Sequence, residues 1–411
     1  MRDVRRGLGA PFRTLCSAAA LSSTGTGITD AALPLLVLAI AGEGATPAAL
    51  GLVAAATQLP VVLFALPSGI IADRYSRRTI MLASDAGRAV CLAIFALVVL
   101  VGDVTVWTTA IAAFGVGVGR ALFTGAIQPL LPTLVPDDQL DSANGRLTTA
   151  TDVGAEFVGP PIGSLLFSIA SCVPFVADAA TYVVSSVLVA RLPADAPGAR
   201  ASQRPRVGPA FAAVRCSATL RSLWFALVVL ALCNSVVSTL AVLVLSDRVG
   251  LSERYYGLAL TVLASGGIVS GLVSSRLSAR WGSRRVLVAA IVVNAGSYVV
   301  FGLATSIAVS FAALVAWGFS VTTGVIIAMS MRQRLTTDDI RGRVMSVFRF
   351  GIGVGGVLGA VAAGIITAEI GLTTTIVGSA VVQLLAAVVI VSGGRAEVVV
   401  VDRAQRTGHV R

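Results

Sequence analysis

The stretch GIIADRYSRRTIML, residues 69–82, has a counterpart later in the chain, GLVSSRLSARWGSRRVLV at residues 271–288. A second pair of stretches, LVPDDQL at 134–140 and LTTDDIR at 335–341, matches independently of the first. The two offsets are 202 and 201 residues, so two unrelated motifs agree on one repeat length. The sequence therefore predicts two similar halves that run in parallel.

The composition indicates that both halves lie in a membrane. The chain has 411 residues, of which 56% are hydrophobic and 12% are charged, and its mean hydropathy is +0.90. Soluble proteins carry about twice that share of charged residues. Apolar runs of roughly 20 residues, long enough to cross a bilayer, recur throughout. They predict an all-α integral membrane protein of about twelve transmembrane helices, near residues 14–40, 48–71, 79–101, 105–130, 146–170, 173–191, 219–246, 255–276, 285–303, 307–330, 343–367 and 371–392.

The basic residues indicate the orientation in the membrane. All 31 of them are arginine, and nearly all loop arginines fall on one predicted side, whereas the other side has only Arg248 and Arg254. Positive charge is retained in cytoplasmic loops, which predicts a plasma (inner) membrane protein with both termini in the cytoplasm. We therefore attribute the net charge of +11 to topology and expect no nucleic-acid partner.

A polar interruption divides the spans six and six. RLPADAPGARASQRPRVGPAFAAVR, residues 191–215, is rich in proline, glycine and arginine, a composition typical of a flexible linker. The predicted organisation is an N-terminal half at 1–191, a cytoplasmic linker at 192–217, a C-terminal half at 218–395 and a cytoplasmic tail at 396–411.

Several motifs resemble the major facilitator superfamily. GIIADRYSRR resembles the signature loop between its second and third spans, except that Ser76 stands where that family usually has glycine. GAEFVGPPIG at 154–163 resembles the antiporter signature of its exporters. QPLLPTLVPDDQLDSANG at 128–145 and MRQRLTTDDIRGRVMSV at 331–347 resemble the branch with macrolide-efflux proteins and the enterobactin exporter. The resemblance covers nearly the whole chain and implies the major facilitator fold.

The resemblance implies a role for the first motif in holding the halves together on the cytoplasmic side. Asp73 would face the positive N-terminus of a helix, which the resemblance suggests is the eleventh span. The alternative is that the arginines only fix the topology of the loop. The expected latch residues are Gly69, Asp73, Arg74, Arg77 and Arg78.

The second motif combines close helix packing with a bend. Glycines leave a smooth helix face that a neighbouring helix can approach, and prolines remove backbone hydrogen bonds. The resemblance implies that the motif lies where the halves meet and serves proton-coupled export. The alternative is the ordinary enrichment of glycine and proline in membrane helices. The motif residues are Gly154, Gly159, Pro160, Pro161 and Gly163.

Ionisable side chains inside spans are functional candidates, because a charge in hydrocarbon is costly. Asp30 has no basic residue within several turns of its own span, so we expect it to take up and release protons. The alternative is a carboxylate exposed at the outer mouth of a water-filled cavity, or one with a local hydrogen-bonding role. Asp152 and Glu156, four residues apart on one helix face, are the other proton-coupling candidates. We expect Arg120 to pair with one of these two acids and to leave the other free to titrate.

We expect the remaining ionisable residues of the spans to have structural roles. Asp85 and Arg88 are expected in a charge network near the cytoplasm, and Asp178 at the outer interface. Arg349 is expected to pair with inner loops. Residues that line a central cavity, or alternatively only pack in the core, are Phe64, Phe123, Asn234, Trp317 and Gln383.

These features predict a secondary active transporter and not an enzyme. No lysine exists for a Walker motif, and the scattered cysteines and lone His409 predict neither a metal site nor a catalytic site. We expect export of a small amphipathic antibiotic, drug or natural product by proton antiport with alternating access. The proton gradient is the energy source and no cofactor is expected. Expected partners are the small-molecule substrate and membrane lipid, with the chain a monomer. Alternatives are an exporter of an anionic siderophore-type metabolite, an uptake symporter, and a transport-inactive receptor or scaffold.

Overall fold

Twelve helical spans follow one another in the part of the chain that the structure describes. The computed structural model describes residues 8–42, 46–64, 75–193, 214–215, 217–336 and 338–392, and these ranges contain no β-strand. The helices are α1 (Ala10–Ile40), α2 (Thr46–Leu63), α3 (Arg77–Val101), α4 (Val106–Leu134), α6 (Val173–Ala190), α7 (Ala218–Leu243), α8 (Tyr256–Trp281), α9 (Ser283–Leu303), α10 (Ile307–Leu335), α11 (Asp338–Ile370) and α12 (Leu372–Ser392).

The fifth span, which we call α5, is broken into three segments. An α-helical segment Leu140–Asp152 leads into a π-helical segment Val153–Val158, and an α-helical segment Gly159–Phe167 completes the span. A second π-helical segment, Val244–Arg248, extends α7. Because a π-helix closes i→i+5 hydrogen bonds, each such segment adds a residue to the turn.

Length and composition confirm a multi-pass membrane protein. Within the described ranges, ten helices are long and apolar enough to cross a bilayer, and α12 contains the shorter apolar stretch Leu372–Val388. Large apolar side chains are exposed on the outer faces of the bundle, among them Leu100 and Ile111, where lipid would cover them. The predicted all-α membrane fold is correct, although α4 and α10 extend a few residues beyond the predicted ends.

Hydroxyl side chains begin four of the helices. Ser76, Thr105, Ser217 and Ser306 each accept a hydrogen bond from the backbone N–H three residues later. Such caps satisfy donors that a helix start leaves unpaired. Ser76, the residue that departs from the expected loop signature, is therefore the N-cap of α3.

The two halves repeat one packing pattern. In the first half α1 packs on α6, α2 on α4, and α3 on both α4 and α6. In the second half α7 packs on α12, α8 on α10, and α9 on both α10 and α12. The repeat extends to a side chain, because Arg78 of α3 donates to the Ala190 carbonyl and Arg284 of α9 donates to the Ile390 carbonyl at 3.0 Å. Each arginine thus satisfies carbonyls at the end of the sixth helix of its half.

The arginine-rich end of the bundle is the end that holds Arg78, Arg191 and Arg284, and the arginine-poor end is opposite. The halves meet through α2 with α11 and through α5 with α8. Toward the arginine-poor end, a Cβ added to Gly51 of α2 would lie 2.6 Å from the Ala360 carbonyl oxygen of α11. The helix backbones are therefore in contact there.

Candidate functional site

A cavity of about 320 Å³ lies between the two halves. Helices α1, α5, α7, α8 and α10 contribute to its wall, which is mainly apolar. Its polar side chains are Asp30, Glu156, Asn234, Ser238, Trp317 and Thr322, and its other lining residues are Ala155, Pro160, Leu260, Leu263, Ala264, Gly267, Gly318 and Val321.

Asp30 on the cavity wall forms a salt bridge with Arg120. The Arg120 guanidinium of α4 donates to Asp30 Oδ2 at 2.6 Å, and the two side chains are 32% and 42% exposed. The expectation that Arg120 pairs with Glu156 or Asp152 is wrong. Helix α5 packs along α1, and its contact with α4 is slight although the two are joined in sequence. Arg120 therefore meets an acid of α1, and the expectation that Asp30 lacks a cation is corrected too.

Glu156 lies in the π-helical segment and lines the cavity, whereas Asp152, one turn earlier, does not line it. Neither acid forms a salt bridge within the described ranges. The Glu156 carbonyl accepts a hydrogen bond from the Thr261 hydroxyl of α8 at 3.4 Å. An α-helix would supply the N–H of residue 160 to this carbonyl, but Pro160 has none. A side chain of the other half therefore takes the place of the missing donor.

The three glycines of the α5 motif face α1. A Cβ added to Gly154, Gly159 or Gly163 would lie 2.7, 2.5 or 2.4 Å from a backbone carbonyl oxygen of α1. Those three carbonyls belong to Ala20, Thr24 and Ile28.

The spacing of these contacts explains the π-helical segment. The contacts advance by four residues at each step on α1, but by five and then four on α5. The π segment absorbs the extra residue, so that all three glycines stay on one face.

The opposite face of the motif contacts the other half. A Cβ added to Gly257 of α8 would lie 1.9 Å from the Pro160 carbonyl oxygen. Ser164 Oγ donates to the Arg254 carbonyl at 3.0 Å. The motif therefore lies between α1 of its own half and α8 of the other.

Most of the expected latch falls outside the described ranges, namely Gly69, Asp73 and Arg74. Arg77 and Arg78 begin α3, and Arg78 donates to the Ala190 carbonyl within the same half.

A buried polar network runs between α1, α3 and α6. Asp85 and Arg88 form a salt bridge, with side chains 0% and 2% exposed. Ser185 donates to Asp85 at 2.6 Å, and Arg88 donates to Ser22 at 3.1 Å. The Arg88 guanidinium also stacks over the Tyr182 ring, 4.0 Å from its centre. The expected charge network therefore exists, and the members that the structure describes all lie in the N-terminal half.

Asp178 belongs to the same region of the protein, contrary to expectation. Its side chain is fully buried and accepts a hydrogen bond from Thr29 at 2.5 Å. The expectation of an exposed interfacial acid is wrong, because α6 packs on α1 and α3 and turns this residue inward. The sequence signal for a buried partner of Asp178 is Thr29, the hydroxyl residue next to Asp30.

The C-terminal half presents uncharged polar groups. Asn234 Oδ1 accepts from Trp317 Nε1 at 2.8 Å and from the Tyr298 hydroxyl at 3.2 Å. A second cavity of about 190 Å³ shares Asn234 with the first and is also lined by Asn294 and Gln383. Asn234 and Trp317 thus line the cavity between the halves.

The other three lining candidates do not line the cavity between the halves, although Gln383 lines the second cavity. Gln383 donates to Asn294 Oδ1 at 2.5 Å. Phe123 packs under Arg88, and Phe64 lines neither cavity.

A family model described as transmembrane secretion effector matches residues 9–406. The chain belongs to the transmembrane secretion effector family. The chain is 29% identical over 138 residues to macrolide efflux protein A of Enterococcus faecalis, a match that covers 33% of the chain and 42% of that protein. It is 30% identical over 174 residues to the multidrug efflux pump Tap of Mycolicibacterium fortuitum, covering 41% of each. The chain thus spans less than half the length of these curated relatives.

A solved structure supports the fold of the chain. The nucleoside transporter NupG superposes with a TM-score of 0.77 at 14% identity, over 95% of this chain and 100% of that one. The resemblance to the major facilitator superfamily and to its macrolide-efflux members is confirmed. Family and fold together point to a membrane transporter. The resemblance to the enterobactin exporter stays a prediction.

Proposed function

We propose that the chain exports a small amphipathic compound in exchange for protons, by alternating access. The observation that carries the proposal is the mainly apolar cavity between the halves, with Asp30 and Glu156 on its wall. Such a cavity suits an amphipathic amine, because apolar side chains contact its hydrocarbon part and a carboxylate pairs with its cationic nitrogen. The names of the efflux relatives support an antibiotic or drug as substrate.

The Asp30–Arg120 pair provides a means of exchange. The Asp30 carboxylate can pair with Arg120, pair with a substrate amine, or take a proton. Protonation neutralises Asp30 and weakens its attraction for a cation, so a proton and a cationic substrate compete for one group. Glu156, without a salt bridge in the described ranges, is a second candidate, and Asp152, one turn earlier, is a third.

The contacts between the halves support the proposal of alternating access. The contacts of α5 with α8 and of α2 with α11 join the halves toward the arginine-poor end. Rocking of one half against the other would open that end and close the opposite one. In that second state, we propose that the loop with Gly69, Asp73 and Arg74, together with Arg77 and Arg78, holds the arginine-rich end closed.

The arginine-rich end faces the cytoplasm, in agreement with the positive-inside rule, and the protein is a monomer in the plasma membrane with both termini inside. Export is favoured over uptake because of the α5 motif. The pairing of Arg120 with Asp30 argues against an anionic siderophore-type substrate, since that alternative needs Arg120 to face the cavity without a counter-charge.

Transport into everted membrane vesicles tests the proposal. With an acidic interior, we expect the macrolide erythromycin and the lipophilic cation tetraphenylphosphonium to accumulate, and an uncoupler to abolish accumulation. Asp30→Asn or Glu156→Gln should lower proton-driven accumulation by about tenfold or more, as expected for an essential membrane acid. Asp103→Asn, in the exposed turn before α4, is the matched control.

Two results would count against the proposal. Accumulation that persists after the gradient has collapsed would exclude proton coupling. If the wild-type protein transported neither erythromycin nor tetraphenylphosphonium, the proposed substrate class would be excluded.

A further inference from the structure

Asp178 is a buried carboxyl group without an opposite charge bonded to it. It lies in the second turn of α6, and its side chain has no exposed surface. Its oxygens accept hydrogen bonds from two hydroxyls, Thr29 at 2.5 Å and Thr181 at 3.1 Å. In the described part of the chain, no salt bridge includes it.

The space for this group depends on Gly25 of α1. A Cβ added there would lie 2.0 Å from Asp178 Oδ1 and 2.0 Å from Thr181 Oγ1. Any larger residue would displace both polar atoms. The carboxyl group therefore occupies a fitted site against the α1 backbone and is not a chance polar residue in the core.

The charges around this site are already engaged with other partners. Asp30 faces it from α1, Arg88 from α3, Arg120 from α4 and Tyr182 from α6 itself. Arg120 is bonded to Asp30, and Arg88 is bonded to Asp85. The α5 segment that touches α6, Gly159–Phe167, has no titratable side chain.

Burial of an ionised carboxylate is costly unless a cation pairs with it, whereas a neutral carboxylic acid needs only hydrogen bonds. The surroundings of Asp178 meet the second requirement and not the first. We propose that Asp178 is a proton-binding site, separate from the cavity carboxylates, which ionises when Arg120 is released from Asp30. This inference rests on the proposed exchange of substrate for protons.

The Asp178 site would couple the movement of a cationic substrate to the movement of a proton. A cationic substrate that pairs with Asp30 displaces the Arg120 guanidinium, and Asp30 directly follows Thr29, which is hydrogen-bonded to Asp178. The freed guanidinium stabilises the Asp178 carboxylate, and the O–H bond of its carboxyl group breaks with transfer of the proton to water that enters beside the displaced guanidinium. One cation enters and one proton leaves, so charge balances. After the substrate has left on the other side, Asp30 recaptures Arg120 and Asp178 takes a proton from that side.

Infrared difference spectroscopy of the full-length protein in lipid tests the site without any substrate. At neutral pH we expect the C=O stretching band of a protonated carboxylic acid, which Asp178→Asn removes. Asp247→Asn, at an exposed acid of α7, is the matched control and should leave the band intact. Thr29→Val and Thr181→Val retain the carboxyl group but remove one hydrogen bond each, so both should shift the band even if Asp178→Asn fails to fold.

A second measurement follows the release of the proton. With a pH-indicator dye, tetraphenylphosphonium should release protons from the wild type and not from Asp178→Asn. A band that survives Asp178→Asn, or that neither threonine variant shifts, would overturn the site, whatever the transport activity. Proton-driven accumulation that is equal in wild type and Asp178→Asn would overturn its role while leaving the proposed function intact. If accumulation by wild-type vesicles did not depend on the proton gradient, the proposed function would be refuted.

Discussion

Gly257 of α8 lies against the Pro160 carbonyl of α5, so closely that a Cβ at position 257 would be 1.9 Å from the oxygen. This is a contact between the two halves, made by backbone atoms on both sides. It fixes how near the halves approach at the arginine-poor end.

Gly257→Ala should therefore hinder closure of that end. We expect a spectroscopic distance between spin labels at positions 169 and 251 to lengthen, and transport to fall by about tenfold, because overpacked contacts typically cost about 1–3 kcal/mol. Gly271→Ala on the same helix is the matched control, since an added Cβ there meets nothing within 4 Å. An unchanged distance in Gly257→Ala would show that the contact does not limit closure.

Gly159→Ala should destabilise the packing of α5 on α1. The added Cβ would lie 2.5 Å from the Thr24 carbonyl oxygen and 2.7 Å from the Gly27 Cα, and neither backbone atom can move without bending α1. We expect a loss of about 1–3 kcal/mol in stability, seen as a lower midpoint of thermal unfolding in detergent. Gly145→Ala, earlier in α5 with nothing within 4 Å, should change it little. Equal midpoints for the two variants would contradict the close approach.

Asp85→Asn should be among the most destabilising single substitutions in the N-terminal half. It leaves the buried Arg88 guanidinium without its counter-charge, and breaking a buried pair in this way costs about 3–5 kcal/mol. Reduced yield of folded protein and a lower unfolding midpoint are the measurements. Asp103→Asn, an acid exposed in the turn before α4, is the control. A wild-type midpoint in Asp85→Asn would mean that Arg88 relies on other groups.

Arg120 and Asp30 should be energetically coupled. Each single variant, Arg120→Gln or Asp30→Asn, leaves one charge on the cavity wall, whereas the double variant leaves none. Because both side chains are about one-third exposed or more, we expect a coupling energy of about 1 kcal/mol in a double-mutant cycle of unfolding. Additive effects would indicate that the pair does not persist in the membrane.

The sequence predicts the fold well because its strongest signals are local. An apolar run, an arginine-rich loop or a motif can each be recognised within one short stretch of the sequence. The predicted span for α12, for example, contains the observed helix. The site depends on which helices become neighbours. Consecutive spans joined by a short loop suggested that Arg120 meets Glu156, but α1 provides its partner. The prediction for Asp178 is wrong for the same reason. The rotation of a helix about its own axis, and not the depth of the residue in the membrane, decides whether an acid near a helix end is buried.

The five-residue step from Gly154 to Gly159 also has a meaning for reading other sequences. Where a neighbouring helix offers contacts every fourth residue, a fifth residue between two contact glycines has to be absorbed as a wider turn. In this setting the GxxxxG spacing therefore predicts a π-helical turn from the sequence alone. A relative with four-residue spacing at both steps should have an uninterrupted α-helix here. Its prolines would then be displaced by one residue from the position at which Pro160 contacts α8.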